Sequence, residues 1–126
     1  MKDDDEVILG IDYGLAYIGL AISTSGEIAS PLAVIKVKNK STKELAGLIS
    51  QKFQGQKIAH LVVGVSEGEM AKQTKIWAHQ LANVLQLPVE FIDETLSSVE
   101  AGSAKDNHAK SAAVILQRYL DNKNSF

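Results

Sequence analysis

The hydrophobic pattern of this chain begins as strand and then switches to helix. Val7-Ile8-Leu9-Gly10-Ile11-Asp12 is a short β-branched apolar run that ends in an acid, and it reads as a first strand. Tyr13-Gly14-Leu15-Ala16 is a turn candidate. Tyr17-Ile18-Gly19-Leu20-Ala21-Ile22-Ser23 alternates larger with smaller residues, as a strand beside a sheet neighbour does. Ser25-Gly26 marks a second turn before a third strand over residues 28–37, where Pro31 argues for an edge position or a bulge. Two successive hairpins predict an antiparallel meander.

Ser41-Thr42-Lys43-Glu44 then has capping-box spacing, and Leu45, Leu48, Ile49 and Phe53 follow at helical intervals, which predicts an amphipathic helix over 42–54. The nearly continuous apolar run from Ile58 to Val65 suits a strand buried on both faces, as in a parallel sheet. A second helix over 69–86 carries Met70, Thr74, Trp77, Leu81 and Val84 on one stripe, and Pro88 marks its end. Val89 to Asp93 is a fifth strand, again ending in an acid. Ser97-Ser98-Val99-Glu100 is another capping box, and a last helix over 108–121 turns Ala109, Ala112, Ala113, Leu116 and Leu120 inward. The order βββαβαβα, with a further short helix before the last, predicts an α/β fold. A mixed five-stranded sheet carries helices on it, its fourth and fifth strands joined through a helix as a right-handed parallel unit.

Length and composition narrow the class. At 126 residues the chain is one domain's worth, residues 1–126, with room for one core and too little for two lobes around a cleft. The absence of cysteine excludes disulfide scaffolds, thiolate zinc sites and cysteine nucleophiles, and suits a cytoplasmic location without proving it. No apolar run is long enough to span a membrane, and the acidic start Met1-Lys2-Asp3-Asp4-Asp5-Glu6 lacks a signal-peptide pattern. The net charge is -2, so any binding of nucleic acid must rest on local patches. Of 13 Lys and Arg side chains only Arg118 is arginine, which makes bidentate recognition of phosphate or guanine scarce.

Two strands end in carboxylates, Asp12 on the first and Asp93-Glu94 on the fifth, and open α/β sheets gather their sites beyond strand carboxyl ends. Carboxylates without cysteine or a histidine pair favour a hard divalent cation, Mg²⁺ or Mn²⁺, which suits phosphodiester hydrolysis. The plainer alternative stands beside it: an Asp after a strand is often a turn-former or helix cap. Gly10, Gly14 and Gly19 bracket Asp12 and suggest a backbone kept open for close approach. Ser66, in the Gly64–Glu69 loop, opens the second helix, where backbone N–H groups can attract phosphate or simply be capped. Lys36, Lys38, Lys40 and Lys43 can track a nucleic-acid backbone or can guard a solvated edge strand. His60, His79, Trp77, Phe53 and Phe91 fall at core or structural positions.

The stretches Ile8–Gly14 and Ile18–Ser23, then Val62-Val63-Gly64, Leu87–Ala101 and Ser111–Leu120, resemble the YqgF/RuvX family over nearly the whole chain and in the same order. The most specific part is Asp93-Glu94-Thr95-Leu96-Ser97-Ser98-Val99-Glu100-Ala101. The resemblance implies a ribonuclease H-like fold. It also implies a metal-dependent nuclease, once called a Holliday junction resolvase homologue and now linked to processing of the 5′ end of pre-16S rRNA. It places the catalytic acids at Asp12, Asp93 and Glu94. A third acid usually opens the last helix, and here that position is His108. His108 or Asp106 would then complete a shell around Mg²⁺ or Mn²⁺, with RNA or branched DNA as substrate and Lys36, Lys38, Lys40 and Ser66 toward its backbone. Tyr17 stands where the family usually has a basic residue, and Gly64-Val65-Ser66 replaces a Gly-Leu-Pro. Two readings follow: a cytoplasmic nuclease, monomeric or weakly dimeric, or a module that kept the fold and binds nucleic acid without cutting it. An actin-like or sugar-kinase ATPase fails on length.

Overall fold

The computed structural model describes residues 6–53, 56–93 and 106–124, with the side chains of 106 and 107 left aside. Its elements are β1 Glu6–Tyr13, β2 Tyr17–Ser23, β3 Ser30–Lys36, α1 Thr42–Lys52, β4 Lys57–Val65, α2 Glu69–Leu85, β5 Val89–Asp93 and α3 Asp106–Lys123. The five strands form one sheet in the order β3-β2-β1-β4-β5. β1 pairs antiparallel with β2, and β2 with β3, while β1–β4 and β4–β5 are parallel. The mixed sheet and its meander are therefore as the hydrophobic pattern predicts. Pro31 lies in β3, an edge strand, and the register shifts between Leu20 and Ala21 opposite it, so both devices that tolerate proline are present. The second capping box, Ser97 to Glu100, lies outside the described residues.

Local chemistry explains the helix ends. Ser41 accepts from the Glu44 backbone N–H at 3.1 Å while the Glu44 carboxylate accepts from the Ser41 N–H at 2.8 Å. This satisfies two of the amide donors that a helix start leaves orphaned. At the far end of α2, Gln86 takes a left-handed conformation and its N–H turns back to Ala82 and Asn83, which stops the helix before Pro88.

Strand alternation sorts the side chains into two cores. Leu9, Ile11, Ile18, Leu20, Leu61 and Val63 point to the side of α1 and α2 and pack with Leu45, Ile49, Trp77 and Leu81. Ala21 and Val62 point the other way, onto Ala112, Ile115, Leu116 and Leu120 of α3. β4 thus has a helix on each face, which is why its sequence is a continuous apolar run.

The α3 side is unusually close. A Cβ at Gly10 would lie 2.7 Å from the Leu116 Cβ and 3.1 Å from the Ala112 carbonyl oxygen. A Cβ at Gly19 would collide with the backbone of His108 and Ala109. At Gly19 the helix backbone itself rests on the sheet, and at Gly10 the Ala112 carbonyl and the Leu116 side chain do. Beyond them, Gln117 accepts from the Ala29 N–H at 2.9 Å and donates to the Glu27 carbonyl at 2.8 Å, tying α3 to the β2–β3 connection.

Gly19→Ala is expected to destabilise the protein by about 1–3 kcal/mol, because backbone rather than a mobile side chain must move. Gly47 lies inside α1 with open space around it, so Gly47→Ala is expected to stabilise by about 0.5–1 kcal/mol. Urea denaturation of the two variants checks the opposite signs.

A candidate catalytic pole

Asp12, the β4–α2 loop and Asp93 all lie at one end of the sheet, at the carboxyl ends of three parallel strands. β3 runs in the same direction as β1 because β2 is antiparallel to both, so Lys36 reaches this same pole. Lys36 and Lys38 are exposed there, Lys40 is half-buried, and Ser66 is exposed just past β4.

Strand alternation places Asp12 on the α3 side, after Ile8 and Gly10. α3 brings His108 to it: Nδ1 lies 3.4 Å from the Asp12 Oδ2, with the carboxylate only 17% exposed and the imidazole 31%. The position of His108 follows from the close seat of α3 on Gly19, because His108 is the residue whose backbone touches that glycine. The ring is held on two further sides. Tyr17 packs against it with ring centres 5.7 Å apart, and a Cβ at Gly14 would lie 3.4 Å from its Cε1. Tyr17 and His108, far apart in the chain, are thus neighbours in space.

Burial pushes the Asp12 carboxyl above its usual range, and the charge and hydrogen bonding of His108 pull it back down without cancelling the rise. A carboxylate desolvated in this way is stabilised by any cation placed beside it.

Asp93 has a different placement. It shares the Phe91 face of β5, toward α2, and lines a cleft with Val65, Ser66, Glu67, Lys75, Phe91 and Ile92. Its backbone carbonyl accepts from the Arg118 guanidinium at 3.0 Å. The structure therefore brings Asp12 and His108 together and sets Asp93 on the opposite side of the sheet end. Glu94 lies outside the described residues, as does the side chain of Asp106, whose backbone opens α3. Among the described residues no three His, Cys, Asp or Glu side chains converge as metal ligands.

The residues read as structural have structural surroundings. At the opposite pole His60 Nε2 lies 3.1 Å from the Tyr119 hydroxyl, which donates to Glu90 at 3.1 Å. Burial holds the His60 imidazole below its usual range, with Glu90 pulling it upward. His79 meets Phe91 edge-on, and Trp77 stacks on Tyr13 with centroids 4.4 Å apart. The Trp77 Nε1 has no hydrogen-bond partner among the described residues. Lys75, which lines the cleft beside Asp93, was not legible as a site residue, since an exposed lysine on a helix carries no signal of its own.

Comparison with known proteins identifies the family. The family model described as RuvX, Holliday junction resolvase, matches residues 6–122. The chain belongs to this family. A protein of Bordetella pertussis bearing the name "Putative pre-16S rRNA nuclease" is 36% identical over 93% of this chain and 95% of its own length. One of the same name from Hydrogenovibrio crunogenus is 34% identical over 95% and 97%. Among solved structures, Thermus thermophilus RuvC in complex with Holliday junction substrate superposes with a TM-score of 0.54 at 18% identity, over 95% of this chain and 96% of that one. That likeness shows the shared ribonuclease H-like fold.

The Asp12 shift gives a signed prediction. Its folded pKa is raised above the ordinary 3.8, so the native state holds this proton longer than the unfolded chain. Its contribution to stability is then greatest below that value and is lost as pH rises through the folded pKa. In metal-free buffer Asp12→Asn is expected to be at least as stable as the parent at pH 7, and that advantage should shrink as pH falls toward 4. Thermal denaturation across this range measures it.

Proposed function

We propose that this chain is a metal-dependent nuclease that hydrolyses phosphodiester bonds in structured RNA, at the 5′ end of pre-16S rRNA, in the cytoplasm. The observation that carries the reading is the half-buried Asp12 carboxylate near the end of β1 with His108 3.4 Å away, in a chain of this family. The names of its relatives supply the RNA substrate.

The donor set fits a divalent cation in kind. A desolvated carboxylate and an imidazole suit Mn²⁺ at least as well as Mg²⁺, since imidazole is a softer ligand than the oxygen donors Mg²⁺ prefers. Asp12 and His108 would hold it, with Glu94 or Asp106 as further ligands. The chemistry a divalent cation supplies in such a site is activation of water and neutralisation of charge on the phosphate oxygens.

The chain's own groups do the rest. Asp12 provides the fixed negative charge. His108, braced by Tyr17 and the Gly14 backbone, keeps its Nδ1 edge toward that carboxylate. Lys36, Lys38, Lys40 and Ser66 line the same pole as backbone-positioning contacts, which set register without reading sequence.

Purified protein is expected to shorten a 5′-extended 16S precursor in the presence of Mn²⁺, and chelation should abolish the cleavage. Asp12→Asn should lower the rate by at least about 100-fold. His108→Asp should retain cleavage while moving the metal preference toward Mg²⁺. Equal activity in parent and Asp12→Asn proteins would sink the reading. RNA binding with no cleavage under any metal would favour the non-cutting module, and preferential cleavage of branched DNA would reassign the substrate.

A further inference from the structure

The cleft on the far side of the sheet end is not used by the Asp12–His108 pair. It lies between the carboxyl ends of β4 and β5 and the first turns of α2, and its volume is about 250 Å³. Small-molecule pockets typically run from about 300 to 1,000 Å³, so this one holds a fragment rather than a whole cofactor. Its polar groups are mixed. Glu67 and Asp93 bring carboxylates, Lys75 an ammonium, and Ser66 a hydroxyl. Two acids against one base make it a poor seat for a phosphate. Lys75 stands at the edge of the cleft with its Nζ 5.8 Å from the centre of the Phe91 ring, within cation–π range.

Carboxylate acceptors and an ammonium donor lining one cleft match the edge of one nucleobase. Guanine offers two adjacent donors, N1–H and the 2-amino group, which one carboxylate accepts together, and beside them the O6 acceptor, which an ammonium satisfies. Unpaired bases in RNA are read in this way, on their Watson–Crick or Hoogsteen edges. The cleft lies at the same end of the sheet as Asp12, one to two strand spacings to the side, about 5–10 Å, and on the other face, so a base held here belongs to a nucleotide a few positions from the bond at Asp12.

We propose that this cleft is a nucleobase subsite for an unpaired guanine flanking the cleavage point, with Lys75 as its specificity-determining donor. The proposal rests on the RNA-nuclease reading for its substrate, and its test does not depend on cleavage.

The experiment follows backbone amide shifts of the full chain, without metal, as the four ribonucleoside 5′-monophosphates and inorganic phosphate are added separately. Guanosine monophosphate is expected to give saturable shifts at Ser66, Lys75 and Ile92. The other three nucleotides should bind about tenfold more weakly, or worse, and phosphate should leave these amides unmoved. Lys75 is exposed and outside the core, so Lys75→Met should fold normally and lose the guanosine response by about tenfold or more, while Asp12→Asn should keep it. Equal response to all four nucleotides, a response to phosphate alone, or an undiminished response in Lys75→Met would each overturn the subsite. Guanosine binding in a protein that cuts no RNA would fail the nuclease reading and leave the subsite standing.

Discussion

The backbone contact between α3 and the paired strands β1 and β2 is the constraint on which the rest depends. At Gly19 the helix backbone rests directly on the sheet, and at Gly10 the Ala112 carbonyl and the Leu116 Cβ close on it. Such a seat fixes the height of the helix and its position along its axis, since any added atom must displace backbone. Farther along, Ala112 and Leu116 fill the space over Ala21 and Val62, and Gln117 ties the helix to the β2–β3 connection. The consequence at the carboxyl end of β1 is direct. His108, one residue before the buried Ala109, is carried to the Asp12 carboxylate.

A carboxylate in this position is costly to keep charged. Asp12 is desolvated by the same packing that brings its partner, and the imidazole offsets only part of the penalty. The hydrophobic core on the other face supplies the stability that tolerates it, from Leu9 and Ile11 through Leu45, Ile49 and Leu81. The two faces of β1 thus have different surroundings. Odd-numbered positions build the core, and even-numbered positions hold the helix and then the acid.

Much of this was legible in the chain. β-branched runs, the Ser41–Glu44 capping box and the apolar run of β4 report local rules, and local rules predict elements well. Pro31 pointed to an edge strand because proline lacks the donor a central strand requires. Asp12 was legible as a strand-end acid, and the family motifs singled out His108. What was not legible depends on which face a helix covers. Asp12 and Asp93 both end strands, yet alternation sets them on opposite sides once α3 and α2 have taken their places. The contact of Tyr17 with His108 joins residues far apart in the chain, and no spacing rule reaches across that separation. Lys75 became notable only when the fold placed it over Phe91 at the mouth of a cleft.

The central claim is that docking of α3 makes Asp12 and His108 one cation-binding site. Paramagnetic broadening by trace Mn²⁺, read on backbone amides of the full chain, tests it without reference to substrate or turnover. The amides of Asp12 and Tyr13 and those of His108 and Ala109 are expected to broaden together at low Mn²⁺, while those around His60 and Tyr119 at the opposite pole stay sharp. Broadening centred elsewhere, or broadening at Asp12 with His108 unaffected, would contradict the account.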